Sequence, residues 1–353
     1  MPYPKIKPEP DFARMRTVFS RGVPDRVPFI ELFLDEPVMV AIQERHFSHG
    51  PEERWRERAD LFFRLGYDYL PAQVDFGFPY RTISAPDTAA LPTAARNWVD
   101  ETRGSIETWD DFARYPWPTP TEETYRPLEW AAKALPEGMK LIPSGPGGVL
   151  ENVMWLMGYG PMSYALADHP DLVQAMFERI GETLVAVFDN MASHNAVGAV
   201  FLGDDMGFKT QTMISPADMR KYVFPWQRRI AAAVHGHGKP FLLHACGRLD
   251  EVMDDLIEDV GIDAKHSFED VITPITEAKR RWGNRIALLG GIDMDILARG
   301  TTEQVRARTR EVLEACMPGG GFALGSGNTV ANYVPLENYF AMLEEGWRFG
   351  VYA

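Results

Sequence analysis

His244 and Cys246 stand two residues apart in the segment LLHACG, where an apolar run ends, and Cys246 is one of only 2 cysteines in the 353-residue chain. In a β-strand, residues i and i+2 point to the same side, so the two side chains converge on one point. An imidazole nitrogen beside a thiolate is a zinc-type ligand pair. The same two residues equally suit a hydrogen-bonded interior histidine next to a small buried cysteine. Their surroundings must decide between the two.

Other reactive side chains recur where apolar runs stop. Asp204 and Asp205 follow GAVFLG, and Glu31 lies in VPFIEL with Asp35 close behind. Adjacent carboxylates after a strand serve as turn caps, metal ligands or proton acceptors. Lys265, His266 and Glu269 follow one another after IDA; Ser326 and Asn328 follow GFALG. The SGPGG segment, 144–148, offers backbone N–H groups that bind substrate or merely turn the chain. Asp293, in GGID, reads as a helix cap.

The elements that must position these groups form a regular series. Eight short β-branched or aromatic runs bounded by Gly, Pro or Asp read as strands: 27–32, 67–72, 140–144, 198–203, 240–245, 262–267, 285–290 and 321–325. Helical spacing fills the gaps. It marks 51–65, 168–194, a helix capped at Ser215, one opening at Thr301, and a last one over 335–349. Eight alternating βα units predict one closed (β/α)8 TIM barrel over 1–353, with an N-terminal extension, 1–20, and an insertion or lid, 76–127. A doubly wound sheet is the alternative, but no G-x-G-x-x-G follows the first strand.

In such a barrel the chemistry sits at the C-terminal strand ends. That rule gathers Glu31, Asp204, Asp205, His244, Cys246, Lys265 and Asn328 at one mouth. It sends the HGHG tract, His235 and His237, to the opposite face, where histidine and glycine close a helix. Cys316, at the end of a helix before Pro318, is likewise expected to be structural.

A net charge of −14 disfavours nucleic acid and anionic membranes as partners. The start lacks an apolar signal segment and no stretch of ~18 apolar residues occurs, so a cytoplasmic protein is expected. A homodimer is allowed for.

With these residues in view, the chain resembles the uroporphyrinogen decarboxylase superfamily, decarboxylases and corrinoid-linked methyltransferases together. The resemblance runs from Asp25 to the C-terminus. It rests on FLGDDMG, MISPADMRKYVFPW, KPFLLHACG, ALLGGID and PGGGFALGSGN followed by VPLEN. It implies the same barrel. True uroporphyrinogen decarboxylases carry an Arg-rich segment after the first strand that grips the substrate's carboxylates. This chain reads IELFLDEP there. An acidic mouth opposes an octacarboxylate substrate.

The methyltransferase branch is therefore the better match. Its thiol-methylating members bind zinc through H-x-C and a later cysteine. His244 and Cys246 match the pair, and Asn328 stands at the third place. A third ligand would then be Asp204, Asp205 or Glu31, with one zinc position left open. The resemblance implies a methyltransferase that exchanges a methyl group between a small substrate and the cobalt of a separate corrinoid (cobalamin) protein; an O-demethylase acting on a methoxylated aromatic compound is the specific expectation. His244 would hold zinc or act as general acid, and Asp204 or Asp205 would serve as ligand or proton acceptor. Phe76, Phe78, Tyr80 and Trp155 are candidates for an apolar substrate pocket, with Lys265 and Asn328 as polar contacts. The rivals are a decarboxylase of a small carboxylic acid, for which Lys265 and Arg81 are the candidate cations, and a non-catalytic metabolite- or corrinoid-binding barrel.

Overall fold

A computed structural model describes residues 3–89, 91 and 95–352. The ends of the expected extension and domain (1–2 and 353), and residues 90 and 92–94 of the expected insertion, lie outside the described residues. In chain order the strands are β1 (Tyr69–Gln73), β2 (Thr82–Ala85), β3 (Arg96–Val99), β4 (Lys140–Ser144), β5 (Val200–Gly203), β6 (Phe241–His244), β7 (Ala264–His266), β8 (Ala287–Ile292) and β9 (Phe322–Ser326).

Seven of these strands form one parallel sheet in the order β1-β4-β5-β6-β7-β8-β9, each joined to the next through helices. Parallel strands covered on both sides are continuous apolar runs, which is why VFLG, FLLH and ALLGGI were legible. The alternation curls the sheet into a TIM-barrel-like wall. Its helices bury one stripe each: on Pro170–Ser193, Val173, Met176, Phe177, Ile180, Leu184, Val187 and Met191 recur at three- and four-residue intervals and face the core. No helix among the described residues is long and apolar enough to cross a membrane.

The eighth segment, 27–32, departs from the closed ladder expected of it. It joins β9 through backbone hydrogen bonds from Ile30 to Leu324 (2.9 Å) and from Leu324 to Pro28 (3.0 Å). Toward β1, no backbone ladder forms among the described residues. A side chain seals that seam: the buried Tyr69 hydroxyl accepts from the Glu31 N–H (2.8 Å) and donates to the Glu31 carbonyl (2.6 Å).

The insertion has more order than its proline content implies. β2 and β3 pair as an antiparallel hairpin. Phe76, Phe78, Phe112, Tyr115 and Trp117 pack on one another edge to face or tilted. The helix Glu122–Ala134 already belongs to the barrel wall.

Candidate metal centre at the barrel mouth

β5, β6 and β7 lie in register so that Gly203 pairs with His244 and His244 with His266. The residues just past these positions are therefore neighbours. Asp205, His244 and Cys246 present ligand atoms that all lie within 4.8 Å of one another. His244 Nε2 is 3.5 Å from Asp205 Oδ1 and 3.4 Å from Cys246 Sγ. Tetrahedral zinc, with bonds of ~2.0 Å to nitrogen or oxygen and ~2.3 Å to sulfur, sets such atoms roughly 3.3–3.6 Å apart. The three side chains fit that ion.

The surroundings fix each donor. Asp205 Oδ1 accepts the Cys246 N–H at 2.8 Å. Gly247 follows with φ +82°, and a Cβ there would lie 2.1 Å from the Gly207 carbonyl, so only glycine lets the loop turn back past Asp205. Cys246 Sγ receives hydrogen bonds from Ser267 Oγ (3.4 Å) and Asn328 Nδ2 (3.1 Å). Burial and the Asp205 carboxylate push the free thiol's pKa well up. A divalent cation reverses that preference, because its charge deprotonates the thiol it binds.

The histidine's tautomer follows from its neighbours. A backbone carbonyl can only accept, so His266 Nε2, 3.1 Å from the Ser326 carbonyl, carries a proton. Burial holds His266 neutral, its pKa well below the usual histidine range. Its Nδ1 is then a bare acceptor, 2.7 Å from His244 Nδ1. His244 Nδ1 must donate. Burial first, and then the Lys265 charge, push the His244 pKa down to about 3. Its Nε2 lone pair therefore faces Asp205 and Cys246, ready for a cation. Gly290, φ +87°, leaves room for this chain of rings: a Cβ there would lie 2.9 Å from His266 Nε2.

Several residues placed at the mouth by sequence have other tasks. Asp204 faces away from Asp205. Its carboxylate accepts the N–H groups of Val149 (3.0 Å), Leu150 (3.4 Å) and Glu151 (3.0 Å) and the Gln227 amide (2.7 Å). It holds the N-terminus of the helix Val149–Met157, where a negative charge is favoured. Those N–H groups, just past the SGPGG turn, are thus not free for substrate. Glu31 is fully buried and bound by the backbone N–H (2.8 Å) and hydroxyl of Ser326, away from the three ligands. Burial pushes its pKa up to about 8.

Lys265, a candidate substrate cation by sequence, lies at the β7 end with its charge turned toward backbone. Its ammonium is buried and donates to the carbonyls of Ala245 (3.1 Å), His266 (3.3 Å) and Ser267 (2.8 Å), bracing the β6 and β7 ends. Arg81 is exposed beside β2. Cys316 is buried with its thiol toward the Ile275 carbonyl. His235 and His237 pair with Asp263 and Asp189 at the far ends of the strands.

A cavity of about 190 Å³ opens beside Asp205. Met154, Trp155, Tyr159, Phe208 and Met213 form its apolar wall, and Val99 and Glu101 reach it from the insertion. Tyr80 packs on Trp155 at 5.1 Å between centroids; Phe76 lies instead against Phe78. Glu151 also lines the cavity. Burial, reinforced by the Asp205 and Asp204 carboxylates, pushes its pKa well above the usual carboxylate range, against the opposing Gly148 N–H that its Oε2 accepts at 3.1 Å, and so favours the protonated form. Sequence reading missed Glu151 because an acid in a helix's first turn looks like a dipole partner.

The family model described as uroporphyrinogen decarboxylase (URO-D) matches residues 105–347, more than half of the chain. A methylated-thiol–coenzyme M methyltransferase of Methanosarcina mazei is 31% identical over 170 residues, 48% of this chain and 42% of the relative. A uroporphyrinogen decarboxylase of Streptomyces coelicolor is 32% identical over 200 residues, 53% of this chain and 48% of the relative. The chain spans about half the length of the curated relatives it matches. A solved methyltransferase from Methanosarcina mazei shares the fold, with a TM-score of 0.70, 16% identity, and 97% and 99% of the two chains covered. The chain belongs to the uroporphyrinogen decarboxylase family.

Proposed function

We propose that this chain moves a methyl group from a small methoxylated aromatic substrate to the cobalt of a separate corrinoid protein. The observation that carries the reading is the ligand group Asp205, His244 and Cys246, whose Asp205 also lines the aromatic-walled cavity beside it. The likeness to a methylated-thiol methyltransferase supports the methyl-transfer branch. Zinc held by these three residues would supply Lewis acidity to an ether oxygen on its way out.

The chain's own side chains do the rest. Trp155, Tyr159 and Phe208 offer faces and edges against which an aromatic ring is oriented and from which water is excluded. The insertion, through Val99 and Glu101, acts as a lid over this cavity. As the methyl group passes to the partner's cobalt(I), the C–O electron pair would stay on oxygen, and Glu151 would give its proton to that atom, leaving a phenol. The ordinary obstacle to ether cleavage, a strongly basic leaving group, is met at that atom by a neutral carboxylic acid.

The test is anaerobic incubation with cob(I)alamin and a panel of methoxybenzenes, following methylcobalamin by absorbance and phenol by chromatography. The parent should form both in equal amounts. Glu151→Gln should lower the rate about 10²–10⁴-fold, the usual range for removing a general acid. Cys246→Ser should lose activity with zinc. No methyl transfer from any donor, or parent rates in both variants, would overturn the proposal.

A further inference from the structure

The first helix of the barrel wall, Pro51–Arg64, brings one arginine to the mouth that no sequence signal marks. Arg58 lines a second cavity, of about 260 Å³, walled by Leu32, Asp35, Gln73 and Ser144. Gln73 and Ser144 end β1 and β4, so this cavity opens at the chemical end of the barrel, on the side away from β6 and β7.

The Arg58 guanidinium is largely buried. Its Nε is closed off from solvent and has no hydrogen-bond partner. Among the described residues, no carboxylate lies within ion-pair distance of it. Burial, then the charge of Arg54, push its pKa down to about 10. The nearby acids are committed elsewhere: Glu36 pairs with Arg54, and Asp35 Oδ2 accepts the Asn332 N–H at 2.9 Å. Two cations and two carboxylates thus share this corner, and Arg58 alone among them has no polar partner. Among the described residues, the Trp55 ring, 4.9 Å from it, is its one cation–π contact.

A buried guanidinium without a partner is costly, and folds retain such groups where a ligand completes them. We propose that Arg58 binds the carboxylate of a small monocarboxylic acid, received into this cavity. A planar carboxylate matches the guanidinium fork with two parallel hydrogen bonds. A dianion would meet Asp35 and Glu36 in the same wall. The volume lies just below the ~300–1,000 Å³ typical of drug-sized pockets, which limits the ligand to a small molecule. The inference concerns binding alone and stands whether or not methyl transfer does.

The test uses acetate and benzoate, their neutral amides, and inorganic phosphate as probes, read by titration calorimetry and melting temperature. One of the two carboxylates should bind the parent at least tenfold more tightly than its amide and than phosphate. Arg58→Met should lose that preference, and its unliganded melting temperature should equal or exceed the parent's, since an uncompensated buried charge is gone. Arg58→Lys, charged but without the fork, should bind at least tenfold more weakly while folding normally. A lowered melting temperature in Arg58→Met with no carboxylate preference in the parent would make Arg58 structural and overturn the proposal. Equal binding of phosphate would overturn the carboxylate assignment.

Discussion

Replacing His266 by phenylalanine tests whether the paired histidines set the metal affinity of His244. In the parent, His266 Nδ1 accepts from His244 Nδ1 at 2.7 Å and its Nε2 donates to the Ser326 carbonyl at 3.1 Å. Phenylalanine fills the volume and removes both bonds. The His244 Nδ1–H is left unpaired in a dry site, at a cost of ~1–3 kcal/mol. The proton then moves readily to Nε2, the atom that faces Asp205 and Cys246, and blocks it. Removing the outer partner of a metal-binding histidine typically weakens binding about 10–100-fold, or ~1.4–2.8 kcal/mol. Glutamine should rescue the site, because its amide oxygen can accept from His244 while its NH2 donates to Ser326. Zinc affinity is measured by competition with a chromophoric chelator at pH 7.5. The expected order is parent, then His266→Gln within about threefold, then His266→Phe weaker by 10–100-fold. A phenylalanine variant that holds zinc as tightly as the parent would refute the tautomer argument, even if the variant melts lower.

Two further outcomes follow from burial. Cys316→Ser should lower the melting temperature by the cost of one poorly satisfied hydroxyl, ~1–3 kcal/mol, and leave zinc content unchanged; loss of zinc would put Cys316 in the centre, against its place at the Ile275 carbonyl. Glu31→Gln should flatten the pH dependence of stability. Burial raises the folded-state pKa of Glu31 to about 8, so its proton stabilises the native state fully below the unfolded value near 4.5, and that contribution is lost as pH rises through 8. Urea unfolding at pH 5 and pH 8.5 should show the parent losing stability relative to the variant by on the order of a few kcal/mol. A difference that stays constant with pH would mean Glu31 is ionised in the fold.

Strand positions were legible because a parallel barrel buries both faces of each strand, so apolar runs ending at glycine or aspartate mark the mouth directly. That sufficed to gather Asp205, His244 and Cys246. It did not separate Asp205 from Asp204. Consecutive residues leaving a strand point to opposite sides, and the side each meets is set by a helix some fifty residues earlier in the chain. The His244–His266 contact depends on interstrand register, which no local pattern encodes. Lys265 read as a free cation because nothing in the sequence shows three carbonyls closing around it. Arg58 was invisible for the opposite reason: helix periodicity gives its face, and only the packing of that helix on β1 brings the face to the mouth. The segment 27–32 has strand composition, yet a phenol closes its outer seam, a tertiary contact across 38 residues.

The place of Asn328 bears on which methyl donor the site suits. The resemblance puts a ligand cysteine there in thiol-methylating members, and in this chain the amide instead donates to Cys246 Sγ at 3.1 Å. Asp205 lies where it can complete a set of three with His244 and Cys246. With the thiol ionised, either set brings two negative charges and one imidazole to a divalent ion. The formal charge is unchanged, but a soft sulfur has been exchanged for a hard oxygen. Harder donors transfer less charge, and leave the ion a stronger acceptor toward oxygen than toward sulfur. The Asn328 hydrogen bond works in the same direction, drawing electron density from the remaining thiolate. On the proposed reading, the exchange moves the site from activating a thiol to assisting the departure of an alkoxide or phenoxide. On the same reading, the neighbouring Glu151 would supply the proton for that step.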